Sequence, residues 1–253
     1  MGLIINPRGT AGSGKTTLVR RFLLARGWSG GTAATQTVHP VWREGRGRPV
    51  GFLCRATEGL PPVFVVGDYG RTRGGTDTFP LRDGGLAEVA RLAAEHAGRG
   101  HHVLLEGLSL SRDVEHSRRL AARHPLHVLA LATSPEQAAA QLIRRRRAGP
   151  GDRTAIAAHV AAEHAGMEAA CAELQHRVSL HRLTFDAAYD WIAARLLAPD
   201  THAQGAWVDG AGATRRDSAP TMAIAAPSTA NTCTRPMAWA AKPMKAGPAS
   251  EPV

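Results

Sequence analysis

Four short and nearly continuous apolar runs recur through the first 199 residues of the chain. They occupy residues 2–5, 63–66, 103–105 and 126–132. Runs of this length and composition are typical of parallel strands that helices cover on both faces. The pattern therefore predicts an α/β fold of three layers, in which a mainly parallel sheet lies between two layers of helices.

The segments between these runs carry helix signals. The first has one apolar face, made of Leu18, Val19, Phe22 and Leu23, and ends at Gly27. A later helix is expected to begin at Ser134, because Pro135 suits the first helical position and Gln137 completes a capping box. A last helix is expected from Asp186 to Leu196. Alternation of strands and helices supports the three-layer prediction.

Two segments depart from this alternation. Residues 38–55 contain the turn-forming sequence GRGRP and predict an inserted antiparallel β-hairpin. Residues 200–253 are rich in Ala, Pro, Thr, Gly and Ser and have no sustained apolar period. Ordering such a segment costs backbone entropy that little burial would offset, so we expect a disordered tail. The predicted organisation is one domain over residues 1–199 and a low-complexity tail over residues 200–253.

The composition is that of a globular protein, with 43% hydrophobic and 21% charged residues. No apolar run approaches the roughly 18 residues of a membrane-spanning helix, and the N-terminus lacks the pattern of a secretory signal. The cysteines Cys54, Cys171 and Cys233 are far apart and form no CxxC pair. This spacing indicates reduced thiols rather than disulfides or a zinc cluster. We therefore expect a cytoplasmic protein.

The chain is strongly basic, with a formal net charge of +10. Of its 31 basic residues only Lys15, Lys242 and Lys245 are lysine, and the others are arginine. A biased nucleotide composition explains this usage, and an attraction to phosphates or nucleic acid is the functional alternative. A basic total is only the first sign of nucleic-acid binding, so both interpretations stay open at this point.

Residues 9–16 read GTAGSGKT and match the phosphate-binding motif GxxxxGK[ST] in full. An apolar run precedes the motif and an amphipathic segment follows it, as the motif requires. Glycines let consecutive backbone N–H groups surround a polyphosphate, and the start of the helix adds unpaired donors. We expect the nucleotide to be bound by Gly9, Thr10, Ala11, Gly12, Ser13, Gly14, Lys15, Thr16 and Thr17.

This motif and its context resemble the P-loop NTPases, specifically the branch of nucleoside and nucleotide kinases. The resemblance implies ATP and Mg²⁺ as cofactors, with Lys15 on the β- and γ-phosphates and the Thr16 hydroxyl on the metal. GTPases read guanine with an NKxD motif, which residues 16–241 cannot contain because they include no lysine. An LSGGQ-like signature of transporter ATPases is also absent from the sequence.

Two further segments support the kinase resemblance. Residues 103–107 read VLLEG and resemble the strand whose terminal acid, here Glu106, holds the Mg²⁺ shell. The strand at residues 126–132, the turn SPE and a helix ending in RRRR resemble the segment that leads to an arginine-bearing lid. Lid arginines of that family neutralise phosphate charge, which makes Arg144 and Arg147 candidates. Solvent-exposed residues are the alternative interpretation for Glu106 and for the arginines.

The acceptor site is expected after the strand at residues 63–66, in the glycine-rich loop that ends near Phe79. Transfer to a hydroxyl needs a carboxylate that orients the attacking oxygen and accepts its proton. Asp77 and Asp68 are the candidates, and Asp77 is favoured because neighbouring glycines allow a ligand to approach. Tyr69 and Phe79 are candidates for stacking on a base, with packing at the edge of the core as the alternative.

Two other kinds of site are rejected. His159 and His164 are five residues apart, which places their side chains about 140° apart on a helix and argues against zinc. Ser109 and Ser111 have no apparent histidine partner for a hydrolase triad.

The sequence thus predicts a P-loop phosphotransferase that moves the γ-phosphate of ATP to a hydroxyl or phosphate of a nucleoside or nucleotide. The glycine-rich acceptor segment also resembles small bacteriophage P-loop kinase-like proteins. Two alternatives remain. One is a kinase acting on a hydroxymethylated base in DNA, like the hydroxymethyluracil-DNA kinases of phages, which the basic charge motivates. The other is an ATP-binding switch or interaction protein without kinase activity.

Overall fold

A seven-stranded sheet forms the middle of the computed structural model, which describes residues 1–57, 59–70, 74–107 and 114–197. The strands are β1 Ile4–Arg8, β2 Val38–Val41, β3 Gly51–Cys54, β4 Val63–Val66, β5 His102–Leu105, β6 Leu126–Leu131 and β7 Ser179–Leu183. Their order across the sheet is β2-β3-β4-β5-β1-β6-β7. All neighbours from β4 to β7 are parallel, whereas β2 with β3 and β3 with β4 are antiparallel.

Helices lie on both faces of this sheet. They are α1 Lys15–Ala25, α2 Gly85–Gly98, α3 Val114–Ala121, α4 Pro135–Arg146, α5 Pro150–Leu174 and α6 Phe185–Leu196. The apolar residues of α1 and α6 pack into one core cluster, and those of α2, α3 and α5 pack into the cluster on the opposite face. The predicted three-layer α/β fold with a mainly parallel sheet is therefore confirmed.

The predicted hairpin over residues 38–55 is also confirmed. Strands β2 and β3 pair in antiparallel register, with Val38 opposite Cys54 and Val41 opposite Gly51. Strand β3 then pairs with β4, so that the hairpin extends the edge of the parallel sheet. The amide of Val50 donates a hydrogen bond to the Val41 carbonyl (2.7 Å), which closes the hairpin beyond the two strands.

The starts of two helices were predicted to within one residue. Ser134 and Gln137 form the expected capping box at the start of α4. The last helix begins at Phe185 rather than Asp186, because the Thr184 side chain is its cap. Strand β7 was not predicted, since it is the last strand of the sheet and none of its residues is fully buried.

Some predictions concern parts of the chain outside the described residues. These include the tail over residues 200–253 and the serines Ser109 and Ser111. Among the helices that the structure describes, none has the length and hydrophobicity that crossing a membrane requires.

Candidate active site

Three loops meet at one edge of the sheet because β1, β4 and β5 are parallel and end there. The loop after β1 carries the glycine-rich motif, the residue after β5 is Glu106, and the loop after β4 leads to Asp77. This edge, outside the carboxyl ends of parallel strands, is where open α/β sheets bind their ligands. The topology thus gathers residues that are distant in sequence.

The phosphate-binding loop has the geometry that its glycines permit. Gly12 and Gly14 have φ angles of 91° and 97°, a left-handed conformation that side chains disfavour. A Cβ atom at Gly12 would clash with the Ala138 carbonyl of α4. The hydroxyl oxygens of Thr10 and Ser13 are buried and have no hydrogen-bond partner among the described residues. The loop therefore fits close approach by a polyphosphate.

A cavity of about 300 Å³ opens over this loop. It is lined by Ala11, Gly12, Gly14, Lys15, Thr16, Thr17, Asp77, Glu106, Gln141, Arg144 and Arg145. Six of the nine residues expected to bind the nucleotide thus face the cavity. Gly9, Thr10 and Ser13 lie behind it, where they are buried.

The Lys15 ammonium is held by backbone carbonyls of the glycine-rich loop. Its Nζ donates hydrogen bonds to the carbonyl oxygens of Gly9 (2.7 Å) and Thr10 (3.0 Å). Burial lowers the pKa of the Lys15 ammonium. Nearby carboxylates oppose this shift, and they belong, in decreasing order of effect, to Glu106, Glu163 and Asp77. Lys15 therefore lies among three carboxylates, and Arg145 is near enough to add to the lowering of its pKa.

Thr16 and Glu106 form the candidate metal site. The Thr16 hydroxyl donates a 2.8 Å hydrogen bond to Glu106 Oε1. The second oxygen, Oε2, is buried near the Tyr69 hydroxyl but has no well-formed hydrogen bond within the described part of the chain. Burial raises the pKa of the Glu106 carboxyl, and Lys15 followed by Thr16 opposes that shift. A hydroxyl and an unsatisfied carboxylate oxygen are ligands that Mg²⁺ accepts.

The loop after β4, called the acceptor loop below, carries two candidate carboxylates that lie in different surroundings. Asp77 lies in the short 3₁₀ helix Gly75–Thr78, where it is exposed and lines the cavity. Asp68 is buried, and its Oδ1 accepts a hydrogen bond from the Gly70 amide (2.9 Å). Of the two candidates, Asp77 alone is positioned to meet a ligand in the cavity, and Asp68 shapes the loop.

The interpretation of Tyr69 and Phe79 as base-stacking residues is wrong. Tyr69 is 1% exposed and Phe79 is 6% exposed, and they belong to the core clusters on opposite faces of the sheet. Burial raises the pKa of the Tyr69 hydroxyl, and the Glu106 carboxylate adds to that effect. Part of the loop lies against Tyr69, because a Cβ atom at Gly74 would come within 2.9 Å of its ring.

The arginines at the end of α4 divide between two places. Arg144 and Arg145 line the cavity together with Gln141, which lies one helical turn before them. Arg147 adopts a left-handed conformation with φ 52° and lines a separate depression that includes Asp152. The structure thus brings Arg144 to the site but not Arg147. Spacing along α4 would have identified Gln141 as a member of the same face.

The sequence analysis also missed Glu163 of α5. Its Oε2 accepts a 2.9 Å hydrogen bond from the Ala11 amide in the phosphate-binding loop. Its other oxygen lies 3.4 Å from His159 Nε2. Ala11 also packs against the apolar cluster that joins α4 to α5. No local signal could have identified this contact, because 152 residues separate Ala11 from Glu163.

The arrangement has the parts of a phosphoryl-transfer site. The glycine-rich loop and Lys15 line the cavity, Thr16 and Glu106 offer oxygen ligands, and Asp77 lines the same cavity. Arg144 and Arg145 add positive charge from the opposite side. Catalysis of phosphoryl transfer needs mainly such positioning and charge neutralisation.

Comparison with known proteins gives one informative relative. The chain is 32% identical over 157 residues to the 5-hmdU DNA kinase of Pseudomonas phage PaMx11. The similarity covers 60% of this chain and 74% of that protein. No family model matches the chain.

Proposed function

The chain belongs to the family of the phage 5-hmdU DNA kinase and is a phosphotransferase, and we propose that it phosphorylates the hydroxymethyl group of a base in DNA. The donor in this proposal is ATP with Mg²⁺. The sequence patterns favoured a free nucleoside or nucleotide as acceptor. The name of the relative and the net charge of +10 instead favour DNA as the acceptor.

The observation that carries the proposal is the convergence of Lys15, Thr16, Glu106 and Asp77 on a single cavity. These residues come from three separate segments of the chain. Together they supply the cation, the metal ligands and the acceptor carboxylate that transfer of a phosphoryl group requires. A protein that only bound ATP would have no need for an exposed carboxylate opposite the phosphate-binding loop. Asp77 therefore favours a kinase over an ATP-binding switch.

On the donor side, the backbone amides of the loop and Lys15 would bind the β- and γ-phosphates. Thr16 and Glu106 would hold Mg²⁺, which when bound neutralises charge on the phosphate oxygens. The guanidinium groups of Arg144 and Arg145 would stabilise charge on the transferring group and the departing ADP. These residues would orient the phosphate chain.

On the acceptor side, Asp77 would orient the hydroxymethyl oxygen toward the γ-phosphorus and accept its proton. The new bond joins that oxygen to the γ-phosphorus, and the bond between the γ-phosphorus and the β–γ bridging oxygen breaks. ADP leaves with the bonding electrons, and Asp77 returns the proton to solvent. The products are ADP and a phosphorylated hydroxymethyl group (CH₂–O–PO₃) on the base.

Transfer of label from γ-labelled ATP tests this function. Acceptors of one sequence should be compared: an oligonucleotide that contains 5-hydroxymethyl-deoxyuridine, the same oligonucleotide with thymidine, and the free modified nucleoside. Nuclease digestion and thin-layer chromatography then locate the label. We expect label on the modified base of DNA and none on the thymidine control. Label found only as free phosphate, or only on the free nucleoside, contradicts the proposal.

A further inference from the structure

The hairpin tip, defined here as residues 42–50, lies near the carboxyl ends of the parallel strands, where the cavity also lies. Gly51, the first residue of β3, pairs with Val66, the last residue of β4. The Gly67 amide also donates a hydrogen bond to the Val50 carbonyl (2.9 Å). Since the loop after β4 leads to Asp77, the hairpin tip adjoins the acceptor side of the site.

Arg43 fastens one side of the hairpin tip. Its Nη1 lies 3.0 Å from Glu88 Oε1 in α2, and its Nη2 donates a 3.3 Å hydrogen bond to the Asp83 carbonyl. Asp83 ends the 3₁₀ helix Leu81–Asp83, which follows the acceptor loop. Arg43 therefore links the hairpin tip to the segment next to the acceptor carboxylate.

Arg46 fastens the other side of the hairpin tip to the acceptor loop itself. Its guanidinium donates to the Thr78 carbonyl, one residue after Asp77. It also lies 4.1 Å from the centre of the Phe79 ring and pairs with the Asp83 carboxylate at 3.3 Å. Two arginines thus hold the hairpin tip against residues 78–83, so that the two segments form one surface.

Two large apolar side chains project from this surface. Trp42 is 51% exposed and Leu81 is 93% exposed. The other large apolar side chains that the structure records as exposed are Met1 and Leu24, which lie at the N-terminus and on α1. Trp42 and Leu81 lie on the two segments that Arg43 and Arg46 hold together, and exposed apolar residues grouped beside a site indicate a binding surface more strongly than isolated ones do.

Positive charge lies beside the apolar pair. Arg82 follows Leu81, and its side chain is 87% exposed with only a 4.0 Å ion pair to Asp83. The partly exposed Arg48 lies on the hairpin tip. Of the carboxylates on these segments, Asp83 and Glu88 are engaged by arginines, and Glu44 on the hairpin tip is exposed. Apolar surface with flanking guanidinium groups is complementary to nucleobases joined by phosphodiesters.

We propose that Trp42 and Leu81 contact the nucleobases of the DNA strand that carries the acceptor base. A base inside a duplex cannot reach a carboxylate in a cavity, so the acceptor base must leave the stack. Leu81 fills the position that this base vacates, and Trp42 stacks on a neighbouring base. Arg82 contacts the adjacent phosphodiester. This inference rests on the proposed function, because it needs DNA as the acceptor.

Substitutions at both positions test the inference. The variants are Trp42→Ala, Leu81→Ala and, as a matched control, Leu24→Ala, which removes an exposed leucine from α1. The measurements are kcat/KM for transfer to 5-hydroxymethyl-deoxyuridine in duplex and in single-stranded DNA, and the Kd for ATP. Trp42→Phe is included because it retains an aromatic face for stacking.

We expect Trp42→Ala to lower kcat/KM about 10-fold on both DNAs, with substantial recovery in Trp42→Phe. Leu81→Ala should lower kcat/KM about 10-fold on duplex DNA but only about twofold on single strands, where no base must be extracted. The Kd for ATP should stay within about twofold of wild type in every variant, as expected for residues outside the nucleotide site. The control Leu24→Ala should also keep kcat/KM on both DNAs within about twofold of wild type.

Two results overturn the inference in distinguishable ways. If wild-type protein phosphorylates DNA and both alanine variants do so with unchanged kcat/KM, the surface has no role in DNA binding and the proposed function stands. If wild-type protein labels no DNA, the proposed function itself fails, and this inference fails with it.

Discussion

Thr16 Oγ1 and Glu106 Oε1 are joined by a 2.8 Å hydrogen bond, although 90 residues separate them in the sequence. The bond connects the first turn of α1 to the end of β5, and it lies beside Lys15. A hydroxyl and a carboxylate are thereby held next to each other in the lining of the cavity. Such preorganisation lowers the cost of assembling a metal site when nucleotide binds.

The raised pKa of Glu106 predicts how nucleotide binding depends on pH. Its usual value is 4.5, and burial raises the pKa in the folded protein. Since Mg²⁺ requires the ionised carboxylate, affinity for Mg-ATP should begin to fall at a pH above 4.5 as acid is added. Calorimetric titration across pH measures this, and Glu106→Gln should bind Mg-ATP weakly without that acid-side step.

The raised pKa of Glu106 also predicts how the free energy of unfolding depends on pH. With a raised pKa the folded state binds the Glu106 proton more tightly than the unfolded state does. The free energy of unfolding therefore loses a contribution as pH rises from 4.5 through the raised value. Subtracting the pH profile of Glu106→Gln from that of wild type should isolate this loss. A difference that is flat across this range would contradict the assignment.

Asp77 and Asp68 should respond differently to removal of their charge. Asp77→Asn should reduce kcat at least about 100-fold and leave the Kd for ATP within about threefold, because general-base catalysis contributes about this much. Asp68→Ala should mainly lower the melting temperature, since Asp68 is 1% exposed and its Oδ1 accepts the Gly70 amide hydrogen bond, which alanine cannot accept. Steady-state kinetics and thermal unfolding of both variants check this. Full activity in Asp77→Asn would exclude it as the acceptor carboxylate.

The arginines of α4 provide an internally matched comparison. Arg144→Gln should lower kcat at least about 10-fold, because its guanidinium lines the cavity where charge develops. Arg147→Gln removes the same charge from a separate depression and should leave kcat within about twofold of wild type. The two variants have equal net charge, so any difference in kcat reports position. Equal losses of kcat in the two variants would contradict the placement of Arg144 inside the catalytic cavity and of Arg147 outside it.

Glu163 should matter through its position on the phosphate-binding loop. Glu163→Ala leaves the Ala11 amide without its 2.9 Å acceptor and should lower kcat about 10-fold by loosening the contact between α5 and the loop. Glu163→Gln keeps an acceptor oxygen and should recover much of that activity. A control is Glu168→Ala, a surface residue of α5 paired with Arg182. Equal loss in the Gln and Ala variants would assign the effect to charge instead.

The sequence predicted what local signals encode and missed what tertiary contacts decide. The glycine-rich turn between β1 and α1, the hairpin and the Ser134 cap were predictable because each rests on residues that are close together in the chain. The burial of Tyr69 and Phe79 depends on how their loop folds over the strands, which no local pattern records. The role of Glu163 arises from the packing of α5 against the loop.

Transfer of γ-phosphate to an oligonucleotide containing 5-hydroxymethyl-deoxyuridine, by wild type and Lys15→Ala side by side, tests the central claim most directly. The side chain of Lys15 lines the cavity and accounts for its central positive charge. We predict that wild type labels the modified base and that Lys15→Ala, with an unchanged circular dichroism spectrum, labels it at least about 100-fold more slowly. Equal transfer by both proteins would contradict the assignment of this cavity as the active site.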